Sequence, residues 1–467
     1  GRGGAAASAA VMSYPVDPDY GDIHEWGSKR LLATIQELGG FYIKSGQIIS
    51  TRVDLFPKEY TDKLMTLQDG VPPMPADVAM RVVQEDLLDG RPLSELFASF
   101  DEEPLGSASI AQVHRAVLVD GREVAVKVQR PGIETKLMGD LANLKVFAKV
   151  LSQALPVDYY KVFCELERVV SGELDFLQEA QAANKVAAAV AHTVDGKPTK
   201  PSVRVPRPIP GLASRKVMVM EFIDGTPLSK LGESAVKMPE MARRLLGKRL
   251  LHQLSEAYGR MIFGSGFIHG DPHPGNLMLE GLNSGLPNLV LLDCGQFKQL
   301  SNEDRLRLAQ LLMLAGELTP ALLTSDKEKD IKRREAIFDD VSRTAEAMGL
   351  ELAENSPREA AAAVALLLFG PPGAQLPGGY SQNELGADSP LRAIASFPQH
   401  LVLLGRATIM IKGIAKKLGV QWSLAEQWAR MARHAVSCST SNTTPCWSLS
   451  PERNIVPPFS ASPGFFG

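Results

Sequence analysis

The residues with the clearest chemical potential lie in one short segment, residues 269–276, which reads HGDPHPGN. Asp271 stands five residues ahead of Asn276, between a helical pattern and a strand-like pattern, and this is the spacing of a phosphoryl-transfer loop. In such a loop the carboxylate accepts the proton of the attacking hydroxyl and the amide holds a metal ion. The segment therefore predicts Asp271 as a catalytic base and Asn276 as a metal ligand. A Pro/Gly turn with incidental polar residues is the alternative.

A second acidic turn follows further along the chain, where the apolar segment Asn288–Leu292 ends in Asp293, Cys294 and Gly295. A carboxylate at the end of a buried strand, followed by a glycine turn, suits a Mg²⁺ ligand that bridges nucleotide phosphates. Taken alone, Asp293 could equally belong to an ordinary strand-ending turn. The two segments in this order, with a strand pair between them, favour catalysis over coincidence.

The histidines of the first segment also permit a zinc site, because His269 and His273 flank Asp271 in a His-x-Asp-x-His pattern. Structural zinc requires a closed set of four ligands. The sequence offers no further ligand cluster nearby, so hydrogen-bonded loop histidines are the favoured interpretation.

A lysine suited to gripping phosphates ends the strand-like run VAVK at residues 124–127. The run follows Asp120-Gly121, a hairpin signal between two β-rich segments. Small residues precede the hairpin and would let backbone N–H groups approach phosphate oxygens; they are Gly106, Ser107, Ala108 and Ser109. Lys127 as an ordinary edge-strand lysine is the alternative.

A lysine that grips phosphates needs a carboxylate to hold it. The run 173–179 supplies Glu173, Asp175 and Glu179 on one helical pattern predicted over Tyr160–Val190. Six residues rotate Glu173 and Glu179 well apart around a helix, so they need not share a partner. A solvated acidic face is the alternative.

Two further segments have weaker signals. The strand pattern Lys216–Phe222, followed by Ile223, resembles a hinge whose backbone, at Glu221 and Ile223, could contact an adenine. An ordinary core strand that ends in a turn fits these residues equally well. Near the start of the chain, KSGQ at residues 44–47 places Lys44 and Gln47 on one face of an amphipathic helix. Gly46 costs that helix about 1 kcal/mol, which predicts close approach of another backbone or a ligand. Taken alone, the segment is more simply interpreted as an exposed lysine and glutamine beside a tolerated glycine.

Composition limits the classes of protein to consider. The 467 residues are 45% hydrophobic and carry a formal charge of −3, so no basic excess indicates nucleic-acid binding. The four scattered cysteines argue against a disulfide scaffold. No apolar run reaches the ~18–20 residues of a membrane span, and the longest, Ala360–Phe369, is predicted to be a buried helix. A chain that begins GRGG, without Met, is expected to be a fragment or a processed form.

Pattern changes along the chain predict five regions. They are a flexible arm (1–22), an N-terminal helical extension that contains KSGQ (23–100), a sheet-rich lobe with a helical insertion (101–225), a helical lobe (226–435) and a disordered tail (436–467).

Together these motifs resemble the UbiB-like family of atypical kinases, helpers of ubiquinone and plastoquinone biosynthesis. The motifs follow the family's order over about residues 24–300: KSGQ, PLGSASIAQVH, VAVK, ELDFLQEA, MEFIDG, HGDPHPGN and LLDCG. The resemblance implies an α+β, two-lobed protein-kinase-like fold with an N-terminal helical KxGQ extension and a mostly helical C-terminal lobe.

The resemblance also implies roles for single residues. Lys127 would contact the phosphates of ATP or ADP and pair with Glu179, while Asn276 and Asp293 would bind Mg²⁺. The family's lid over the cleft would be formed by Lys44, Gln47, Glu173 and Asp175. This chain departs from the family at Gly106 and Ser107, where alanines are usual, and at Cys294, which replaces the kinase aromatic. No predicted metal or phosphate ligand is lost.

The resemblance implies an ATP- and Mg²⁺-dependent kinase or ATPase that acts on a lipid or quinone precursor, at a membrane surface in a mitochondrion or chloroplast. A soluble small-molecule kinase, like the aminoglycoside and choline kinases, is one alternative, although those kinases lack the KSGQ helix. A nucleotide-binding scaffold without catalysis is the other. The sequence does not identify a protein partner.

Overall fold

The computed structural model describes residues 21–39, 42–43, 45–46, 50, 57–68, 72–150, 159–194, 197–199, 201–231, 239–282, 287–382 and 388–440. Lys44 and Gln47, predicted to form part of a lid, lie outside the described residues. So do residues 1–20 of the predicted arm and residues 441–467 of the predicted tail.

An antiparallel sheet forms the first lobe, with strand order β1-β2-β3-β7-β6. Its strands are β1 (Phe97–Ser107), β2 (Ala111–Leu118), β3 (Glu123–Gln129), β6 (Pro208–Ala213) and β7 (Val217–Glu221). The predicted Asp120-Gly121 hairpin is confirmed: it joins β2 to β3, and Gly121 has φ +85°, a conformation that glycine adopts without strain. A short separate hairpin pairs β4 (His192–Val194) with β5 (Lys197–Thr199).

Two strands of this sheet differ from the sequence prediction. β1 already contains Gly106 and Ser107, which were expected in a loop, and the region boundary expected at residue 100 falls inside it. β6 begins at Pro208, inside the segment Val203–Pro210, whose repeated prolines predict a linker. β6 is an edge strand, where a proline is tolerated because its missing N–H is not needed by a neighbour.

Helices cover this sheet and extend from it. They are α3 (Ala76–Leu87), α4 (Ile133–Val150), α5 (Tyr159–Glu173) and α6 (Phe176–Val190). Val83 of α3 packs on Val124 and Val126 of β3, while Leu137 of α4 packs with Val170 of α5. The single helix predicted over Tyr160–Val190 is wrong, because the chain breaks after Glu173 and starts α6 anew.

The second lobe is mostly helical around one large core. Its helices are α7 (Glu240–Gly259), α8 (Asn302–Glu317), α9 (Pro320–Leu323), α10 (Glu328–Ala347), α11 (Ala360–Phe369), α12 (Gln399–Lys417) and α13 (Leu424–Thr440). All ten residues of α11 are buried, so the predicted buried helix is confirmed. Because α13 continues to Thr440, residues 436–440 are helical and the tail predicted from residue 436 starts too early.

Short strands line the junction between the two lobes. They are β8 (Gly225–Pro227), β9 (Phe267–His269), β10 (Leu277–Glu280), β11 (Asn288–Leu291) and β12 (Phe297–Gln299). β10 pairs with both β8 and β11, and β9 pairs with β12. A further small pair joins β13 (Glu351–Leu352) to β14 (Ile394–Ser396).

The N-terminal extension begins with α1 (Gly21–Leu38) and α2 (Lys58–Leu64). Gly46 lies against α1 and the helical turn Met65–Gln68 that follows α2: a Cβ added there would be 2.5 Å from Leu67 Cδ1 and 3.1 Å from Ile35 Cδ1. The atoms nearest to Gly46 are apolar side-chain atoms, so the prediction that Gly46 admits another backbone is wrong. Across the described residues, no helix combines the length and the apolar character needed to cross a membrane.

Candidate active site

Lys127 occupies the cleft side of β3 because of the strand's alternation. Val124, Val126 and Val128 are fully buried against α3, so the side chain of Lys127 emerges on the opposite face. There its Nζ donates a hydrogen bond to Glu179 Oε1 at 2.5 Å and lies 3.7 Å from Asp293 Oδ2. The structure thus brings three of the predicted site residues together, from β3, α6 and the turn after β11.

The electrostatics of this cluster favour a permanently charged lysine. Burial lowers the pKa of Lys127, but the charges of Glu179 and Asp293 raise it more, so the net direction is upward. Burial raises the pKa of Glu179, and the nearby carboxylate of Asp293 adds to that rise while Lys127 opposes it. A charged ammonium group has three N–H donors, so Lys127 can donate to a phosphate oxygen as well as to Glu179.

The start of α6 fixes the position of Glu179. Asp175 is the N-cap of this helix, and its Oδ1 accepts a hydrogen bond from Leu177 N at 3.0 Å. Glu179 lies one turn further along, and the ring of Phe176 lies 5.0 Å from Lys127 Nζ. The segment Asp175–Glu179 therefore supplies the N-cap of α6, the Phe176 ring near Lys127, and the carboxylate that pairs with Lys127.

Buried His269 connects the Asp271 loop to the Asp293 turn by hydrogen bonds. Its Nδ1 accepts from the Tyr258 hydroxyl at 2.7 Å, and its Nε2 donates to the Asp293 carbonyl at 2.7 Å. Burial lowers the pKa of His269, which favours the neutral ring with the proton on Nε2. Both ring nitrogens are occupied, so the zinc interpretation has no support here. No group of three or more His, Cys, Asp or Glu side chains forms a metal cluster in the part of the chain that the structure describes.

Asn276 and Asp293 are brought to one end of the β10–β11 hairpin. Leu277 pairs with Leu291, and Leu292 N donates to Asn276 O at 2.9 Å. The amide nitrogen of Asn276 donates to Asp271 Oδ2 at 3.3 Å, which leaves its amide oxygen as the atom suited to a cation. Oxygen ligands from one amide and one carboxylate fit Mg²⁺, which takes few protein ligands and completes its shell with water and phosphate.

Asp271 has a partner that sequence reasoning missed. Arg406 of α12 donates from one terminal nitrogen to Asp271 Oδ1 at 3.1 Å and from the other to Gln296 Oε1 at 2.9 Å. Gln296 Nε2 in turn donates to Glu173 Oε1 at 3.0 Å. Arg406 follows Asp271 by 135 residues within a long helical region, so no local pattern marks it.

The small-residue segment is held by a second missed arginine. Arg130 lies just beyond β3 and donates to Ala108 O at 2.9 Å and to Ser107 Oγ at 2.6 Å. It also donates to Pro72 O at 2.6 Å, outside the sheet. Gly106 and Ser107 end β1, and buried Ser109 lies in the turn before β2. An arginine three residues after the predicted phosphate-binding lysine was the available sequence signal.

The predicted hinge residues have different surroundings. Ile223 is buried after β7, whereas the Glu221 carboxylate lies 3.6 Å from Arg204 and Glu221 N donates to Arg207 O at 3.0 Å. A cavity of about 550 Å³ opens on the Arg204 side and is bordered by Glu221, Glu280 and Asn288. None of the predicted phosphate- or metal-binding residues lines this cavity, and we assign the site to the Lys127 cleft because the charged groups converge there.

Comparison with known proteins shows what the chain is similar to. A family profile described as "ABC1 atypical kinase-like domain" matches residues 66–319. Curated relatives include "Probable protein kinase UbiB" of Pseudomonas fluorescens strain Pf0-1, 37% identical over 287 residues, and its namesake in Pseudomonas entomophila strain L48, 36% identical over 291. Each match covers 61% of this chain and 51% of the relative. The chain thus spans about half the length of these relatives.

One solved structure has a similar fold along most of the chain. It is the complex of Rv3197 with erythromycin from Mycobacterium tuberculosis, which is 26% identical with a TM-score of 0.51. The match covers 88% of this chain and 99% of the other. The predicted kinase-like α+β fold with a helical C-terminal region is confirmed by this match and by the family profile.

Proposed function

The chain belongs to the ABC1 atypical kinase-like family, and on that premise we propose that it binds ATP or ADP with Mg²⁺ between Lys127 and Asp293. The observation that carries the proposal is the convergence of Lys127, Glu179 and Asp293, with Nζ 2.5 Å from Glu179 and 3.7 Å from Asp293. Lys127 would offset part of the charge of a triphosphate or diphosphate chain, and Mg²⁺ held by the Asp293 carboxylate would offset the rest.

Each residue of the candidate site has a part in the proposed reaction. Lys127 neutralises phosphate charge, and Glu179 holds it in place. Asp271 accepts the proton of the attacking hydroxyl or water, and Asn276 orients the Asp271 carboxylate by the 3.3 Å hydrogen bond. Mg²⁺, when bound by Asn276 and Asp293, would supply positive charge to the phosphate oxygens.

We further propose a role in isoprenoid-quinone or other lipid metabolism. Its support is the similarity to relatives named UbiB together with the family's motifs. The lid of Lys44 and Gln47 over Glu173 and Asp175 belongs to this proposal. An organellar location against a membrane, in a mitochondrion or chloroplast, rests on the family resemblance alone. Cell fractionation tests the location, and recovery in the cytosolic fraction would contradict it.

Nucleotide hydrolysis by the purified chain tests the proposed activity. We expect hydrolysis of Mg-ATP by the wild type, and a loss of about 10²-fold or more in Asp271→Asn, since general bases contribute that much. Vesicles of neutral and anionic lipid should be included in parallel, because the proposed acceptor is a lipid. Binding without turnover in every condition would favour the scaffold alternative. Transfer to soluble amines or alcohols, unaffected by lipid, would favour the small-molecule kinase.

A further inference from the structure

The carboxylate of Asp271 is held from both sides. Asn276 donates to Oδ2 at 3.3 Å, and Arg406 donates to Oδ1 at 3.1 Å. The side chains of Asp271 and Arg406 are both mostly buried, at 22% exposure each, so little water competes for these contacts. With one donor on each oxygen, the plane of the carboxylate is fixed relative to the loop.

Arg406 is itself oriented by hydrogen bonds that run through Gln296 to Glu173. Its other terminal nitrogen donates to Gln296 Oε1 at 2.9 Å, and Gln296 Nε2 donates to Glu173 Oε1 at 3.0 Å. The Gln296 amide is therefore oriented, with its oxygen towards Arg406 and its nitrogen towards Glu173. The backbone of Gln296 is anchored as well, because its carbonyl accepts from Gly270 N at 2.9 Å.

We propose that Arg406 is a positioning residue for Asp271, and that Gln296 couples this position to Glu173 at the end of α5. The inference rests on the proposed function, since it assigns Asp271 as the base. It adds to the predicted lid role of Glu173 a connection to the base through Gln296 and Arg406, which lie outside the motifs quoted above.

The physical reason lies in the geometry of proton transfer. A general base works only when its lone pair is aimed at the proton, and a misplacement of about 1 Å can cost about 10²-fold in rate. The two anchors on Asp271 come from different elements, the catalytic loop and α12. If the end of α5 moved, Glu173 would move with it, the Gln296 amide would reorient, and Arg406 would no longer be held towards Asp271. This path of hydrogen bonds from Glu173 through Gln296 and Arg406 to Asp271, the relay, therefore makes the rate depend on the position of α5.

Steady-state kinetics of Arg406 variants test the positioning role. We expect Arg406→Gln to lower kcat by about 10²-fold while KM for Mg-ATP changes less than about threefold, because Arg406 holds the base and not the nucleotide. Arg406→Lys keeps the positive charge on a single donor nitrogen and should recover about tenfold of the loss. Lys417→Gln is the matched control, since it removes an exposed charge from the other end of α12. An unchanged kcat in Arg406→Gln, or a loss confined to KM, overturns the positioning role.

A double-mutant cycle tests the relay independently of turnover. Glu173→Leu and Arg406→Gln are made singly and together, and the unfolding midpoint in urea is measured for each. If Glu173 and Arg406 are coupled through Gln296, the stability towards urea should fall clearly less in the double variant than the sum of the two single falls. Gln296→Met should abolish this coupling. Additive losses overturn the relay. A wild type that binds no Mg-nucleotide defeats the proposed function instead, and the cycle still reports on the relay.

Discussion

At the scale of single residues, the buried Lys127–Glu179 pair is the most consequential contact. Glu179→Gln leaves the ammonium group buried with one carboxylate partner fewer, and losing one member of a buried pair costs about 3–5 kcal/mol. We therefore expect the free energy of unfolding, measured in urea, to fall by roughly that amount.

Glu123→Gln provides the control for this substitution. Glu123 lies on β3, like Lys127, and pairs with Arg115. Its side chain is 49% exposed, so Glu123→Gln should lower the free energy of unfolding by only about 0–1 kcal/mol. If Glu179→Gln and Glu123→Gln lowered the free energy of unfolding equally, the stabilising role of the buried Lys127–Glu179 pair would be contradicted.

Buried His269 predicts a pH dependence of stability. Because burial lowers the pKa of His269 in the folded protein, the unfolded chain binds the proton more readily, with a pKa of about 6.5. Stability should therefore fall as the pH drops below about 6.5, and His269→Gln should show a shallower fall between pH 7 and 5.5. Chemical denaturation at several pH values measures this slope. His252→Gln, at an exposed position on α7, should keep the wild-type slope; a wild-type slope in His269→Gln would refute the assignment.

The sequence identifies residues of the site that belong to short local patterns. Lys127 lies on an alternating strand, and Asp271 and Asn276 stand at a fixed spacing, so all three were predictable, although their chemical roles remain predictions. Arg406 and Gln296 were not, because they reach the site from α12 and from beyond the Asp293 turn. Only the tertiary fold places them beside Asp271 and Glu173.

At the scale of elements, the segment from Gly106 to Ser109 depends on Arg130. We expect Arg130→Ala to release this segment, because it removes the hydrogen bonds to Ser107 Oγ, Ala108 O and Pro72 O. Amide hydrogen exchange at residues 106–110 should become faster, and the affinity for Mg-ATP should fall. The measurement is hydrogen–deuterium exchange by mass spectrometry.

Arg122→Ala is the control for the segment. Arg122 lies in the β2–β3 hairpin and pairs with exposed Asp120, so its loss should leave residues 106–110 unchanged. Identical exchange in wild type and Arg130→Ala would show that Arg130 does not hold the segment.

Element boundaries were the part least accessible to sequence reasoning. The break between α5 and α6 escaped notice because Glu173, Asp175 and Glu179 fit one helical period, although Asp175 is also a favoured N-cap residue. β1 escaped because bulges interrupt its pairing with β2, so its residues do not alternate regularly. The hairpin at Gly121 was predictable because its turn chemistry is local.

At the scale of the whole molecule, Trp428 joins several elements of the helical lobe. It is fully buried, its Nε1 donates to Ser255 O at 2.7 Å, and its ring lies about 6 Å from Phe263 and Phe369. Trp428→Ala should lower the free energy of unfolding by about 3–5 kcal/mol. Urea unfolding measures the loss. Trp26→Ala, at a position 68% exposed, should have a small effect, and a comparable loss there would contradict the assignment of the core.

The central claim is that one cleft between the lobes binds a Mg-nucleotide through Lys127 and Asp293. Isothermal titration calorimetry with Mg-ATP and Mg-ADP tests it most directly. We expect saturable binding by the wild type, and at least about tenfold weaker binding in Lys127→Met and in Asp293→Asn, since each lost charged contact is worth about 1.5–3 kcal/mol. No binding by the wild type, or undiminished binding by both variants, would contradict the claim.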